Sequence, residues 1–410
     1  MRCDHFEAGT CRSCSLLDVP HARQVREARG AVEELLAPFL ATGATWDAPV
    51  TSAEAGFRNK AKMVVTGTAN EPVLGIQGQG GARARHGADP LLGTADLADC
   101  PLYPPGVQRL LDGVRALIRR AQVPPYDVAR RRGEIKNVIV TIAPDGRTML
   151  RLVLRSDAAL GRLTEHLPAL LTAHPEVALV SANLHPEHAA TLEGEVEIPL
   201  AGDAFLPITM GPVTLHARPR SFLQTNTAVA GALYAQVGAW VDAIDESRRA
   251  RSTPAPPLRL WDLYCGVGGF AMTCARPLAA GPRREITGVE VSEQAIVSAR
   301  EAAAAAGLDV SFHADDATAW AIARAAEEGA PDVVIVNPPR RGIGPRLAAW
   351  IEDSAVPDVI YSSCNPTTLA ADLAAMPGSR IVRGRLIDMF PHTRHDEVVV
   401  HLRRHGRRTP

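Results

Sequence analysis

The chain has 410 residues, which is long enough for two or three domains with their own hydrophobic cores. Its formal net charge of -1 gives no overall attraction to nucleic acid, so any affinity for RNA has to come from local basic patches. No apolar run approaches the roughly 18 residues that span a bilayer, and Cys3, Asp4 and Glu7 stand where a signal peptide needs an apolar segment, so we expect a soluble, cytoplasmic protein.

Three cysteines stand close together at the start of the chain, where Cys3, Cys11 and Cys14 follow the pattern C-x7-C-x2-C. A fourth, Cys100, precedes a proline, as cluster ligands often do. Four thiolates can hold a [4Fe–4S] cluster or a structural zinc ion. Zinc sites usually come as two tight pairs, so a triplet with one distant cysteine favours the cluster. The alternative that Cys100 is an unrelated buried thiol stays open.

The next segments carry basic residues of ambiguous purpose. Residues 19–40 have helical spacing with an arginine-rich polar face, which fits contact with solvent or with RNA. Basic residues enter a predicted strand at 57–65, and a Gly-rich basic loop follows at 75–88. That loop can either follow a phosphate backbone or simply be variable.

Nearly all positive charge comes from arginine, and Lys60, Lys62 and Lys136 are the only lysines. They either serve a purpose that requires lysine or persist by chance. The densest basic run is Arg130–Arg132, which fits a solvated turn or an RNA contact.

The middle of the chain predicts a mixed α+β module. The predicted elements are a helix at 106–121, a strand at 137–143 joined by a hairpin to 149–155, a helix at 160–174, and strands at 177–184 and 213–216. A further helix opens at 220–226 and runs to about 244, and the Pro-rich stretch 253–257 predicts a surface loop.

From Leu258 onward, short apolar strands alternate with Ala/Leu-rich helices. The predicted strands are 258–263, 286–291, 309–314, 332–337, 357–362 and 397–403. This alternation predicts an α/β fold with a doubly wound, Rossmann-like parallel sheet. We therefore expect three parts: an Fe–S ligand segment with a helix at 1–50, an α+β RNA-binding domain at 51–217 that supplies Cys100, and a C-terminal domain at 218–410.

The stretch W-D-L-Y-C-G-V-G-G-F, residues 261–270, joins the first of these strands to a helix. Glycines at such a turn let the backbone approach a ligand, although a tight strand–helix connection explains them too. The spacing is not G-x-G-x-x-G and Asp262 stands on the strand, which favours S-adenosylmethionine over NAD. Glu290 ends the next strand at the distance expected for a ribose contact.

Five features follow strands and should meet at one edge of the sheet: the Gly turn, Glu290, Asp315–Asp316, Asn337–Pro339 and Cys364. Cys364 lies between a strand and a helix, where backbone N–H groups can lower the pKa of a nucleophilic thiol. Standing alone, it fits a buried strand-end cysteine as well.

The loop at Asn337–Pro339 is rigid and suited to stacking and hydrogen-bonding a flat base. Glu397 begins the last predicted strand, where its carboxylate can act as a general base.

Taken together, the motifs resemble the RNA 5-methyluridine methyltransferases, most closely the RlmC (RumB) type of 23S rRNA (uracil-747-C5)-methyltransferase. The resemblance covers the whole chain, and the tRNA enzymes of the superfamily fit less well because they lack the four cysteines. The cysteine motif starts at Cys3, so we expect no β-barrel domain before it. The motifs that carry it are C-R-S-C, G-F-R-N-K-A-K-M, D-C-P-L-Y, S-F-L-Q-T-N, D-L-Y-C-G-V-G-G-F, V-N-P-P-R-R-G-I-G, Y-S-S-C-N and D-M-F-P-H-T-R-H-D-E.

The resemblance implies a role for ten side chains. Cys364 would be the nucleophile and Glu397 the base. S-adenosylmethionine would be held by Gln224, Tyr264, Glu290 and Asn337, and a [4Fe–4S] cluster by Cys3, Cys11, Cys14 and Cys100. Tyr264 stands where relatives often have Phe, and Asn337 where many relatives outside the RlmC type have Asp.

The implied substrate is a hairpin-loop uridine of 23S rRNA, flipped out of its stack, with no obligate protein partner. Carbon 5 of uracil is too weak a nucleophile to take a methyl group until a thiolate adds at carbon 6. Other hypotheses are the same chemistry on tRNA or another rRNA uridine, a non-catalytic Fe–S RNA-binding protein, and an amino-methyltransferase, which would need no nucleophilic cysteine.

Overall fold

A computed structural model describes residues 1–77, 94–189, 191–252, 254–276, 284–354 and 356–405, so most of the predicted Gly-rich loop at 75–88 lies outside the described residues. The chain forms two compact units. The first comprises Met1–Leu17 and Ala53–Ile208, and the second comprises Asp18–Ser52 and Thr209–Pro410. No helix within the described ranges is long and apolar enough to cross a membrane.

The helices in chain order are α1 (Asp4–Glu7), α2 (His21–Leu36), α3 (Pro105–Arg120), α4 (Leu160–Ala173), α5 (Thr227–Arg251), α6 (Gly269–Ala275), α7 (Glu293–Ala305), α8 (Ala317–Glu328), α9 (Gly344–Ser354) and α10 (Pro366–Ala374), and a short 3-10 helix spans Ala37–Phe39. The strands are β1 (Leu40–Trp46), β2 (Lys60–Gly67), β3 (Pro72–Gln77), β4 (Thr94–Asp96), β5 (Ile135–Ile142), β6 (Thr148–Leu154), β7 (Val177–Leu184), β8 (Val196–Gly202), β9 (Leu206–Met210), β10 (Val213–Ala217), β11 (Arg259–Leu263), β12 (Glu285–Glu290), β13 (Ser311–Ala314), β14 (Val333–Val336), β15 (Asp358–Ser363), β16 (Ser379–Ile387) and β17 (Glu397–Arg404).

The first unit is a seven-stranded sheet in the order β4-β3-β2-β5-β6-β7-β8. Alternate residues of β2, namely Ala61, Met63 and Val65, enter the same core as α3, as the period of two in a strand requires. Helix α3 buries one apolar stripe with spacings of three and four residues, so the amphipathic helix predicted at 106–121 is confirmed. The hairpin of β5 and β6 is also confirmed.

The second unit contains an eight-stranded sheet in the order β1-β16-β17-β15-β14-β11-β12-β13. The Rossmann-like core is confirmed, but the sheet is not wholly parallel because β17 runs antiparallel to both β15 and β16. The reason is the connection between β16 and β17, which contains no crossover helix and so returns the chain in the opposite direction.

The expected division of the chain at residues 50 and 217 differs from the one observed. Strand β1 pairs in parallel with β16, with Leu40 opposite Ile381, and this pairing places residues 18–52 in the second unit. The N-terminal segment is therefore not one piece: the cysteine triplet belongs to the first unit, whereas α2 and β1 belong to the second.

The parallel strands of the second unit end together at one edge. Leu263 stands opposite both Val289 and Val336, and Val336 stands opposite Tyr361. The residues that follow these strands therefore meet at the carboxyl edge, where open α/β sheets bind ligands.

Candidate active site

One cavity of about 740 Å³ in the second unit contains every catalytic and cofactor residue that the sequence singled out there. Its lining includes Gln224, Tyr264, Glu290, Asn337, Cys364 and Glu397. The volume lies within the range of about 300–1,000 Å³ that small-molecule sites occupy. Asp316 also lines it, so the expected convergence of loops at one sheet edge is confirmed.

The turn after β11 is built for close backbone packing. Tyr264 has a φ of 66°, a conformation rare for a side chain of its size, and Gly268 has a φ of 87°. A Cβ on Gly269 would lie 2.5 Å from Cζ of the Tyr234 ring, so only glycine fits there. The strained Tyr264 thereby lines the cavity at the N-terminus of α6.

Asp262 anchors this turn from inside the sheet. Its Oδ2 accepts a hydrogen bond of 2.9 Å from the backbone N–H of Ala271, while Oδ1 is buried without a partner among the described residues. Burial raises the pKa of Asp262 to about 8, against the lowering effect of the Ala271 hydrogen bond, and the charge of Glu290 raises it further.

Two carboxylates on the cofactor side hold the ends of neighbouring helices. Glu290 accepts a hydrogen bond of 3.1 Å from the N–H of Ser292, whose own hydroxyl caps α7. Asp316 caps α8 by accepting from the N–H of Ala319 at 2.8 Å. These hydrogen bonds fix the backbone around Glu290 and Asp316, and so fix where both side chains line the cavity.

Gln224 is positioned by the start of α5. Asn226 caps this helix, because its side-chain oxygen accepts from the N–H of Val229, and its amide donates to Ser52 Oγ at 2.7 Å. Gln224 lies two residues before this cap and is buried in the cavity wall.

Glu397 is 1% exposed and accepts a hydrogen bond of 2.8 Å from Ser362 Oγ on the neighbouring strand. Burial raises the pKa of Glu397 to about 7, and the Ser362 hydrogen bond opposes that rise. A carboxylate with a pKa near neutrality can both accept and release a proton at physiological pH, as a general base must.

Cys364 is only partly buried and lies at the end of β15. The expectation of a lowered thiol pKa is wrong for this arrangement. Burial raises the pKa of Cys364 and the carboxylate of Glu397 raises it further, whereas Arg340 lowers it by charge and hydrogen bonding. The two raising effects outweigh the arginine, so this thiol needs help to ionise.

The loop after β14 is tied to the thiol's own turn. The carbonyl of Arg340 accepts hydrogen bonds of 3.2 Å from the Asn365 amide and from the Thr368 hydroxyl. Asp372 accepts from the N–H of Ile343 at 2.9 Å and from the hydroxyl of Tyr361 at 2.7 Å. Ser362, Thr368 and Asp372 were not predicted, because no sequence pattern shows that these side chains bond to Glu397, Arg340 and Ile343.

The four N-terminal cysteines are all free and partly exposed in the first unit. Burial raises the pKa of Cys14 to about 12, and Cys100, Cys11 and Cys3 each raise it further, which requires that the four thiols lie near one another. Within the described residues, no group of three or more His, Cys, Asp or Glu side chains is arranged to hold a single metal ion.

Comparison with known proteins agrees with this geometry. Residues 326–405 match the family model "tRNA (Uracil-5-)-methyltransferase", and residues 253–348 match "Methyltransferase small domain". The 23S rRNA (uracil(747)-C(5))-methyltransferase RlmC of Halothiobacillus neapolitanus is 42% identical over 98% of this chain and 99% of its own length. The protein of the same name from Yersinia pseudotuberculosis is 43% identical over the same shares.

A solved structure shares the fold. The tRNA (uracil-54, C5)-methyltransferase of Pyrococcus abyssi, in complex with S-adenosyl-L-homocysteine, aligns with a TM-score of 0.71 and 20% identity, over 95% of this chain and 85% of that one. The similarity to the two bacterial proteins extends over nearly the whole chain, and the chain therefore belongs to the RlmC family of 23S rRNA (uracil-C5)-methyltransferases.

Proposed function

We propose that this protein transfers a methyl group from S-adenosylmethionine to carbon 5 of a uridine in 23S rRNA through a covalent adduct with Cys364. The observation that carries the proposal is that Cys364 and Glu397 line the same cavity as the cofactor residues. A methyltransferase acting on nitrogen needs no nucleophilic cysteine in that position. The names of the relatives point to the same substrate.

The residues present suit S-adenosylmethionine. Glu290 would accept hydrogen bonds from the ribose hydroxyls, Tyr264 would offer an aromatic face, and Gln224 and Asn337 would offer amide hydrogen bonds, since all four line the cavity. When bound, S-adenosylmethionine supplies an electrophilic methyl group.

Cys364 begins the reaction by adding its sulfur to carbon 6 of the flipped-out uracil, which moves electron density to carbon 5. Because its pKa is raised, the thiol has to lose its proton as the substrate arrives, and Arg340 stabilises the thiolate. Carbon 5 would then take the methyl group as the methyl–sulfur bond of bound S-adenosylmethionine breaks and S-adenosylhomocysteine leaves, and carbon 5 would keep one hydrogen to be removed.

Glu397 takes the proton from carbon 5, and the electron pair of that C–H bond re-forms the carbon 5–carbon 6 double bond as sulfur departs. The pKa of about 7 suits this step, since the carboxylate is ionised often enough to accept the proton and then releases it. Ser362 holds the carboxylate in place by its 2.8 Å hydrogen bond.

The proposal includes a [4Fe–4S] cluster held by Cys3, Cys11, Cys14 and Cys100. Thiolates around one zinc ion with bonds of about 2.3 Å would lie closer together than those around a four-iron cluster. The mutual electrostatic influence of the four thiols suits a group that all four could ligate together. The cluster would cross-link the N-terminal segment to the loop at Cys100.

The first unit is the proposed RNA-binding module. Lys62 and Lys136 are already engaged, Lys62 with Glu193 at 3.5 Å and Lys136 with the carbonyl of Glu187 at 2.6 Å. The side chains of Arg131 and Arg132 are exposed and form no ion pair with a described residue. These two arginines are therefore better placed for phosphate contacts than the lysines.

The deciding experiment measures methyl transfer from labelled S-adenosylmethionine by protein purified without oxygen. The acceptors are unmodified 23S rRNA and unmodified tRNA, the product is mapped by mass spectrometry, and Cys364→Ala is the inactive control. A single 5-methyluridine in a 23S hairpin loop is expected. Label in tRNA alone would contradict 23S rRNA as the substrate. RNA binding without any label would contradict the proposal that the protein is a methyltransferase.

The cluster has its own assay. Iron and acid-labile sulfide are measured in the wild type and in Cys100→Ser, both purified without oxygen. Both elements are expected in the wild type and their loss in the variant. Zinc in place of iron, or neither metal, contradicts the cluster.

A further inference from the structure

A second cavity of about 350 Å³ in the same unit also reaches Cys364. We call it the flanking groove, and its walls come from α2 (Ala31, Val32, Leu35), the N-terminus of α10 (Asn365, Pro366, Thr367), and Arg340, Cys364, Arg394, His395 and Asp396. It shares only Cys364 and Arg340 with the cofactor cavity. The thiol therefore stands between two cavities.

One wall of the flanking groove is apolar. Leu35 is 38% exposed, and it lies on the same helix face as Ala31 and Val32, four and three residues before it. A flat, uncharged surface such as a nucleobase covers an apolar patch of this kind without burying charge.

The groove also has basic lining residues. The guanidinium of Arg394 is exposed and makes no ion pair with a described residue, and His395 and Arg340 stand nearby against the single carboxylate of Asp396. The nine-residue α10 presents its N-terminus here, where the helix dipole favours an anion. A groove lined by both apolar and cationic side chains is complementary to a nucleotide, whose base is uncharged and whose phosphate is anionic.

The position of the flanking groove relative to Cys364 indicates which nucleotide of the RNA it would hold. The target base has to lie between Cys364 and the methyl donor, so the cofactor cavity is filled on one side of the thiol. The chain that carries the target leaves on the other side, and its neighbour is one phosphodiester bond away. We infer that the flanking groove seats the nucleotide adjoining the target uridine, with its phosphate at Arg394 and its base against Leu35. This inference rests on the proposed function.

The test uses Arg394→Gln and Leu35→Ser in the full-length protein, with Arg346→Gln as a control that removes an exposed arginine of α9 outside both cavities. The probe is a synthetic 23S hairpin containing the target uridine, together with versions that lack the base immediately 5′ or 3′ of it. RNA affinity is measured by fluorescence anisotropy over a range of salt, apart from turnover and from S-adenosylmethionine affinity.

Arg394→Gln is expected to weaken hairpin binding about threefold to tenfold and to reduce the salt slope by about 0.7, as loss of one phosphate contact to a single strand should. The turnover number at saturating RNA and the cofactor affinity should match the control. Removing one flanking base should weaken binding to the wild type but not to Leu35→Ser.

If the wild type methylates the hairpin, the inference would be overturned by equal RNA affinity and equal salt slope in the wild type, Arg394→Gln and Arg346→Gln. If the abasic probes weaken binding equally in the wild type and in Leu35→Ser, the neighbouring base does not bind in the groove. A wild type that binds the hairpin but methylates no RNA would instead defeat the proposed function.

Discussion

The hydroxyl of Ser362 donates a hydrogen bond of 2.8 Å to Oε1 of Glu397, across the antiparallel pairing of β15 with β17. Both side chains are buried. Without this donor the buried carboxylate would stay protonated to a higher pH, because burial raises its pKa and the Ser362 hydrogen bond lowers it. Ser362 is thus a positioning residue that keeps the proposed base usable.

Ser362→Ala is expected to move the acidic limb of the pH–turnover profile to higher pH by about one unit, because one charge-assisted hydrogen bond of roughly 1.5 kcal/mol is lost. The hydrogen bond favours the ionised form, so its removal raises the pKa of Glu397 and reduces the active fraction near neutrality. Ser362→Thr retains the hydroxyl and should keep the limb near the wild-type position. An unchanged limb in the alanine variant would show that Glu397 does not titrate in turnover.

Glu397→Gln should trap the enzyme on its RNA. The amide cannot take the proton from carbon 5, so the methylated adduct cannot expel Cys364 and should accumulate when S-adenosylmethionine is present. The species is measured as an RNA–protein band on a denaturing gel. The double variant Cys364→Ala/Glu397→Gln should give no band. Normal turnover by Glu397→Gln would assign the base to another residue.

The same substitution should alter stability with pH. The pKa of Glu397 is raised from 4.5 to about 7 on folding, so its contribution to stability is fully present below about pH 4.5 and is lost as pH rises to about 7. Relative to Glu397→Gln, the wild type should lose on the order of 3 kcal/mol of unfolding free energy across that window. Denaturant unfolding of both proteins at several pH values measures the difference. Comparing the pair isolates Glu397 from Asp262, which titrates in both.

The sequence was sufficient for the residues whose type and position carry the chemistry. A cysteine, an acid and an Asn-Pro-Pro turn at strand ends predict one site, because parallel strands end at one edge. Ser362 could not be predicted, since a serine on a buried strand has no signal until the register places it beside Glu397.

Strand β1 was missed for a related reason. Its partner β16 lies more than 300 residues away in sequence, and a short strand of small residues following a helix shows no pattern of its own. Strand β17 was predicted at 397–403 and is confirmed, but its antiparallel direction was not predicted, because strand direction depends on the connection rather than on the strand's residues.

The reactivity of Cys364 should depend on its two charged neighbours in opposite directions. Glu397 raises the pKa of this thiol and Arg340 lowers it. Alkylation by iodoacetamide should therefore be faster than wild type in Glu397→Gln and slower in Arg340→Gln at one pH near 8, because the thiolate is the reacting form. Mass spectrometry of the Cys364 peptide separates it from other cysteines. The same rate in all three proteins would contradict the assigned electrostatics.

Gly342 provides a test of the loop that carries Asn337. It has a φ of 82°, and a Cβ there would lie 2.4 Å from Asp372 Oδ2, the atom that holds Ile343 and Tyr361. Gly342→Ala should therefore combine backbone strain of about 1–3 kcal/mol with displacement of Asp372.

The matched control is Gly43→Ala, which has a φ of 79° but open space around its Cβ and so adds strain alone. Gly342→Ala should destabilise the protein more than Gly43→Ala, and it alone should weaken S-adenosylmethionine binding in calorimetry, because Asn337 shares the displaced loop. Equal cofactor affinity in the two variants would show that Asp372 does not hold the loop in its binding conformation.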